Sequence, residues 1–208
     1  MSTIFGYGED ALTLWTLKTK LSSILLHKDI QDKTSISGCI AFYRPSFGRQ
    51  GREGSSIFGE FDAIVASKEN IYLIESKWDN LAEITSSEYN LRPEQTRRHR
   101  VFSWYLTHWT NEYAGRWKSF ADAYQEDPYL KKEGKVIAKE ETLLARNLEW
   151  VLTKLHSQCE RIRPEKIKNV LLYFHRAKEK PPTKTNSAFI IVPIDYSKYI
   201  EGNFVVIP

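Results

Sequence analysis

Two neighbouring apolar stretches, Ile57 to Ala66 and Ile71 to Lys77, carry carboxylates inside what otherwise reads as buried strand. Both are rich in β-branched and aromatic residues, and the short polar segment Ser67 to Asn70 between them predicts a tight antiparallel turn. Alternate side chains of a strand share a face. Glu75 and Lys77 are therefore expected to point with Ile71 and Leu73, and Glu60 and Asp62 with Phe58 and Ile64, leaving Phe61, Ala63 and Val65 on the other face. Burying carboxylates in such strands costs on the order of several kcal/mol unless a cation or hydrogen bonds compensate.

A divalent metal meets that requirement. Mg²⁺ prefers hard oxygen ligands and keeps some of its waters, so Asp62, Glu75 and the backbone carbonyl of Ser76, with phosphate oxygens, would make an octahedral shell. Lys77 would stand beside it, able to orient a water and to stabilise charge growing on a phosphate, and hydrolysis of a phosphodiester is the implied reaction. The competing reading is a salt bridge at a sheet margin. Placement of the Asp and the Glu-x-Lys on adjacent strands of a tight hairpin, within a buried stripe, favours the metal site.

Around this hairpin the pattern alternates between helix and strand. Leu14, Leu17, Leu21, Ile24 and Leu25 recur at helical spacing and predict a helix over about Glu9 to His27. Ile36 to Tyr43 reads as a strand, and Pro45 to Ser56, with Gly48, Gly51 and Gly54 among Arg49 and Arg52, as a basic loop. Helices are expected over Pro93 to Thr107, Trp109 to Tyr124 and Lys139 to His156, and strands at Val170 to His175, Ala188 to Ile194 and Phe204 to Ile207. Lys178 to Ser187, which contains Pro181 and Pro182, reads as a hairpin loop. This order predicts a mixed α/β sheet covered by helices, in one domain spanning 1–208.

Composition narrows the class. With 208 residues, 41% hydrophobic and 13% aromatic, the chain can bury a substantial core, and disorder, collagen and coiled coil are excluded. No apolar run approaches the roughly 18 to 20 residues of a membrane helix, and Met1 to Asp10 lacks a secretory pattern, so no membrane partner and a cytoplasmic location are expected. Cys39 and Cys159 stand apart with no metal-finger spacing. The net charge of +4 is mild, but positive charge concentrates in the second half of the chain, which is compatible with a nucleic-acid face.

The wording Gly59-Glu60-Phe61-Asp62 followed by Leu73-Ile74-Glu75-Ser76-Lys77, after an N-terminal helix, resembles the PD-(D/E)xK nuclease superfamily. It is most similar to the branch containing Holliday-junction resolvases with a GE(I/F)D signature, over about residues 6 to 110. The resemblance implies a restriction-endonuclease-like core of helix, three-stranded antiparallel meander, helix and further strands, with a helical insertion over about 109–160. It implies Asp62 and Glu75 as metal-binding acids for Mg²⁺, which Mn²⁺ can replace, and Lys77 as the catalytic lysine. Within Gly8-Glu9-Asp10-Ala11 it implies Glu9 as a further carboxylate at the metal, and Gln95 as a polar residue facing the site. Phe61 stands where Pro is usual, and His99 where a related branch has Tyr. The partner so implied is DNA, duplex or branched, cut by a homodimer; the alternative is an inactive nuclease-like module that binds nucleic acid.

Other residues have two readings each. Glu9 and Asp10 also suit the first turn of a helix, where carboxylates meet exposed amides. Glu60 either supports the ligands or pairs with a nearby Arg. In Arg97-Arg98-His99-Arg100 the side chains wind round a helix, so one or two, Arg97 and Arg98 foremost, are expected on phosphate and the rest in solvent. Arg49 and Arg52 are expected either to touch a groove or to form an ordinary surface loop.

Overall fold

The computed structural model describes residues 3–47, 59–78, 84–85 and 87–208. Along these the chain runs β1 (Ile4–Gly6), α1 (Gly8–Thr19), α2 (Leu21–Leu25), β2 (Ile40–Tyr43), β3 (Ser46–Phe47), β4 (Gly59–Glu60), β5 (Ala63–Ala66) and β6 (Ile71–Trp78). It continues β7 (Ile84–Thr85), β8 (Glu88–Tyr89), α3 (Pro93–His108), α4 (Trp117–Tyr124), α5 (Pro128–Lys132), α6 (Leu143–Gln158) and β9 (Ile167–His175). Last come β10 (Lys184–Thr185), β11 (Ile190–Asp195), β12 (Ile200–Glu201) and β13 (Phe204–Ile207).

The architecture is mixed α/β. A five-stranded sheet in the order β11-β9-β6-β5-β2 forms the centre, with β2, β5 and β6 antiparallel and β6, β9 and β11 parallel. Alternation along β6 sends Ile71 and Leu73 into a core shared with α3, α4, α5 and α6, and Tyr72 and Ile74 into a second core with α1, α2 and β13. Strands buried on both faces explain the near-continuous apolar wording of 63–74.

Several expectations are corrected. The first helix does not run unbroken to His27, because Lys20 leaves helical geometry (φ −126°, ψ 12°) and divides α1 from α2. The bend keeps Leu21, Ile24 and Leu25 buried against the same core as Leu12 and Trp15. Ile36–Gly38 is a single 3₁₀ turn, so the strand begins only at Ile40. The segment 178–187 is no hairpin loop: it lies within the connection between two parallel strands, and Lys184–Thr185 pairs with Glu88–Tyr89.

The correction with most bearing on function is at Phe61–Asp62, where the expected strand 57–66 is interrupted between β4, which pairs with β3, and β5, which pairs with β2 and β6. Phe61 packs in the core of Ile64, Leu73 and Phe102 rather than with Ala63 and Val65. Its N–H goes to Pro45 O (3.4 Å) and Arg44 N–H to Asp62 O (3.1 Å), so β2 still follows the interruption. The Asp62 carboxylate takes the Ser76 N–H at 2.7 Å, replacing with a side chain the backbone acceptor that a regular ladder would supply.

Candidate active site

The Asp62 side chain thereby lands against the end of β6, where Glu75, Ser76 and Lys77 sit side by side. Glu75 is 3% exposed, and both of its oxygens are engaged. Oε1 accepts from Lys77 Nζ (3.3 Å) and from Gln95 Nε2, and Oε2 from Arg98 Nη2 (2.7 Å). Lys77 also donates to the Ser76 carbonyl at 2.6 Å and lies 3.6 Å from Glu9 Oε1. Glu9, in the first turn of α1, accepts the Trp78 N–H at 2.9 Å with its other oxygen. Thr13, one turn along α1, donates to the Glu9 carbonyl and accepts from Ser76 Oγ, both at 2.8 Å, which ties the helix to this end of β6.

The structure thus brings together Glu9, Asp62, Glu75, Ser76, Lys77, Gln95 and Arg98. Gln95 is placed by helix capping: Pro93 opens α3, and the Arg92 N–H donates to Gln95 Oε1 (2.9 Å), leaving the amide nitrogen to reach Glu75. Arg98 is drawn inward onto Glu75, whereas Arg97 is exposed. Arg100 pairs with Glu133 at 3.1 Å. Arg49 and Arg52 lie outside the described residues. Glu60 pairs with Arg44, both oxygens at 3.2 Å, and Arg44 also holds Asp10, so of its two readings the ion pair is the observed one. An open cleft of about 490 Å³ runs over the site, lined by Glu60, Asp62, Glu75, Arg92, Gln95 and Arg98.

Electrostatics separate the acids. Burial, and after it the neighbouring Glu75 charge, push the Asp62 carboxyl up to about 7, against the Ser76 N–H and Lys77, which favour its ionised form. Burial likewise raises Glu9. For Glu75 burial acts in the same direction, but His99, Arg98 and Lys77 outweigh it and hold the carboxyl down at about 2. Of these, Arg98 and Lys77 make direct contacts, whereas His99 Nε2 stands 3.8 Å from Glu75 Oε2, beyond hydrogen-bond reach. Burial would lower Lys77, but Glu75, Glu9 and Asp62 raise it, so the amine remains an ammonium.

Comparison with protein-family models, curated proteins and solved structures returns no match. The site therefore stands on its own geometry.

His99 was not among the expected site residues. It is fully buried between Phe61 (ring centroids 4.9 Å apart) and Phe189 (4.6 Å), with Nδ1 2.9 Å from Asn169 Oδ1. Its Nε2 and the Nε of Arg98 are buried and have no hydrogen-bond partner among the described residues. The only available signal was its place one turn after Gln95 on the same helix.

Among the described residues no three His, Cys, Asp or Glu side chains are grouped closely enough to form a ready-made cage for a divalent ion. Two carboxylates suit Mg²⁺ nonetheless, because the ion keeps several of its own waters and is bound through one or two carboxylates and substrate phosphates rather than by an all-protein cage. Burial first and the Glu75 charge second disfavour the ionised Asp62 carboxyl, and a cation at the site would offset both.

Proposed function

We propose that this protein is a metal-dependent DNA endonuclease that hydrolyses phosphodiester bonds with a PD-(D/E)xK-type site on a restriction-endonuclease-like core. The observation that carries the reading is the convergence of Asp62, Glu75 and Lys77 at the open end of β6, with Glu9 arriving from α1. The succession α1, the β2-β5-β6 meander, α3 and then the parallel strand β9 supports the core.

In this reading Asp62 and Glu75 hold Mg²⁺, with the Ser76 carbonyl and Glu9 adjacent, and the ion supplies Lewis-acid charge to the phosphate when bound. Lys77, held as an ammonium by the acids around it, donates hydrogen bonds and stabilises negative charge on the phosphate oxygens. Gln95 orients Glu75. Arg98 lines the cleft beside Glu75, where its guanidinium can meet a phosphate entering there. Cutting both strands of a duplex calls for a twofold pair of chains, which sedimentation with and without DNA measures.

A second reading, an inactive module that binds nucleic acid, draws on the saturation of both Glu75 oxygens by Arg98, Gln95 and Lys77. Supercoiled, linear and branched DNA incubated with Mg²⁺, Mn²⁺ or EDTA separates the two. The nuclease reading expects metal-dependent products that vanish with Glu75→Ala and Lys77→Ala. Binding of DNA without cleavage of any substrate under either metal overturns it in favour of the module.

A further inference from the structure

Beside the site, on the α1 side of β6, lies a second and more enclosed pocket of about 180 Å³. Its wall includes Tyr7, Gly8, Trp78, Arg176 and Tyr196. Trp78 follows Lys77 directly, and its backbone N–H donates to Glu9, so one residue joins the pocket to the acidic cluster. The Trp78 indole N–H donates to Tyr196 Oη at 2.8 Å, and Arg176 Nε approaches the same oxygen at 3.4 Å, which fixes one wall. Tyr7 stands edge-on to Trp78 (centroids 5.6 Å apart, 86°) and is 62% exposed.

Aromatic rings and a guanidinium around a small cavity favour a flat, π-rich ligand, which they hold by stacking without regard to base identity. The volume suits a single ring system rather than a base pair. The left-handed turn at Gly8 (φ +83°), where an added Cβ would meet nothing within 4 Å, leaves the rim beside Tyr7 open. We propose that this pocket takes one unpaired nucleobase of the strand whose phosphate lies at Asp62 and Glu75. The proposal rests on the nuclease reading for its neighbour, and it narrows the substrate class to nucleic acid with an unstacked nucleotide next to the scissile bond: a single strand, a branch point, or a base turned out of the duplex.

The test is binding of a fluorescein-labelled oligothymidylate and of a fully paired blunt duplex of equal length, by anisotropy in EDTA, so that cleavage plays no part. The full chain is expected to prefer the unpaired strand. Tyr7→Ala, at an exposed position that the core does not need, is expected to weaken that binding roughly tenfold while leaving the duplex unchanged, and Tyr7→Phe to retain it. A scan of single abasic nucleotides through the strand is expected to find one position whose loss equals that of Tyr7→Ala and adds nothing to it in the variant. Equal binding of the two DNAs or an inert Tyr7→Ala would each overturn the pocket. The two readings fail separately: metal-dependent cleavage with an inert Tyr7 leaves the nuclease and removes the pocket, while Tyr7-dependent strand binding without cleavage does the reverse.

Discussion

Asp32 and Asp62 are carboxylates set near opposite ends of β6, and their surroundings treat them in opposite ways. Asp32, 1% exposed, accepts from Ser67 Oγ (2.5 Å), Tyr72 Oη (2.6 Å), Asn70 Nδ2 (3.2 Å) and the Thr34 N–H (2.9 Å). Burial works against its charge, but the bonds from Ser67, Tyr72 and Thr34 outweigh it and bring the carboxyl down to about 2. Asp62 receives one backbone N–H and shares its space with Glu75 and Glu9, and its carboxyl rises to about 7. Burial alone therefore does not mark a functional acid. A buried carboxylate given neutral donors staples the loop before β2 to the β5–β6 turn, whereas a buried acid with one such donor and other carboxylates beside it is driven toward its neutral form.

The largest expected effect breaks the acidic cluster. Glu75→Ala removes the carboxylate that Arg98 and Lys77 share, leaving the Arg98 guanidinium without its acid and Lys77 with Glu9 alone. Cleavage of plasmid DNA is expected to fall by at least about a thousandfold, and denaturant unfolding to show a loss on the order of 3–5 kcal/mol. Glu75→Gln separates the two losses, since it keeps an acceptor for Arg98 while removing the charge; activity is expected to remain lost and much of the stability to return.

The matching change at the other end, Asp32→Ala, takes from the interior the acceptor of the Tyr72 and Ser67 hydroxyls and of the Thr34 N–H, and is expected to cost about 2–4 kcal/mol. Urea melts should record that loss with the metal-dependent cleavage rate unchanged at a temperature where the variant is folded. A rate falling with stability would mean that the two ends of β6 are not independent.

The acids carried on strands were legible because a period of two lets neighbours be placed on a face from sequence alone, and Glu75 and Lys77 lie at the open end of the β6 stripe as that period requires. Phe61 escaped the rule because the chain breaks register at Asp62, and the cause, a carboxylate replacing a ladder acceptor, lies in the tertiary pairing with Ser76. The Arg97 to Arg100 run shows the limit for helices. Four adjacent residues wind round α3 and end at solvent, at Glu75, beside Asn169 and at Glu133, and only the docking of the helix decides which goes where. Asp32 gave no signal, since it stands in a polar loop whose donors come from residues 67–72.

Asp62→Asn sharpens the contrast through pH. In metal-free protein Asp62 titrates at about 7 folded against 3.8 as its ordinary value. Its protonated form is favoured by folding, so its contribution is fully present below pH 3.8 and is lost as pH rises toward 7. Asp62→Asn, which has no charge to bury, is expected to be more stable than the parent at pH 7.5 by about 1–2 kcal/mol and to match it near pH 4, while cleaving no DNA. Urea melts in EDTA across that range check the sign. A variant less stable at pH 7.5 would show that Asp62 is a satisfied staple like Asp32.

Asp32 itself supplies a pH effect of opposite sign. Its folded value of about 2 lies below the ordinary 3.8, so its stabilisation is present above pH 3.8 and is lost as pH falls toward 2, a change on the order of 2 kcal/mol. Asp32→Asn should flatten that acid limb and leave the neutral limb that belongs to Asp62 untouched. The double variant then distinguishes a sum of two local titrations from a shared one. With the carboxylates set near opposite ends of one strand and no common hydrogen-bond partner among the described residues, the two pH dependences are expected to add within about 0.5 kcal/mol.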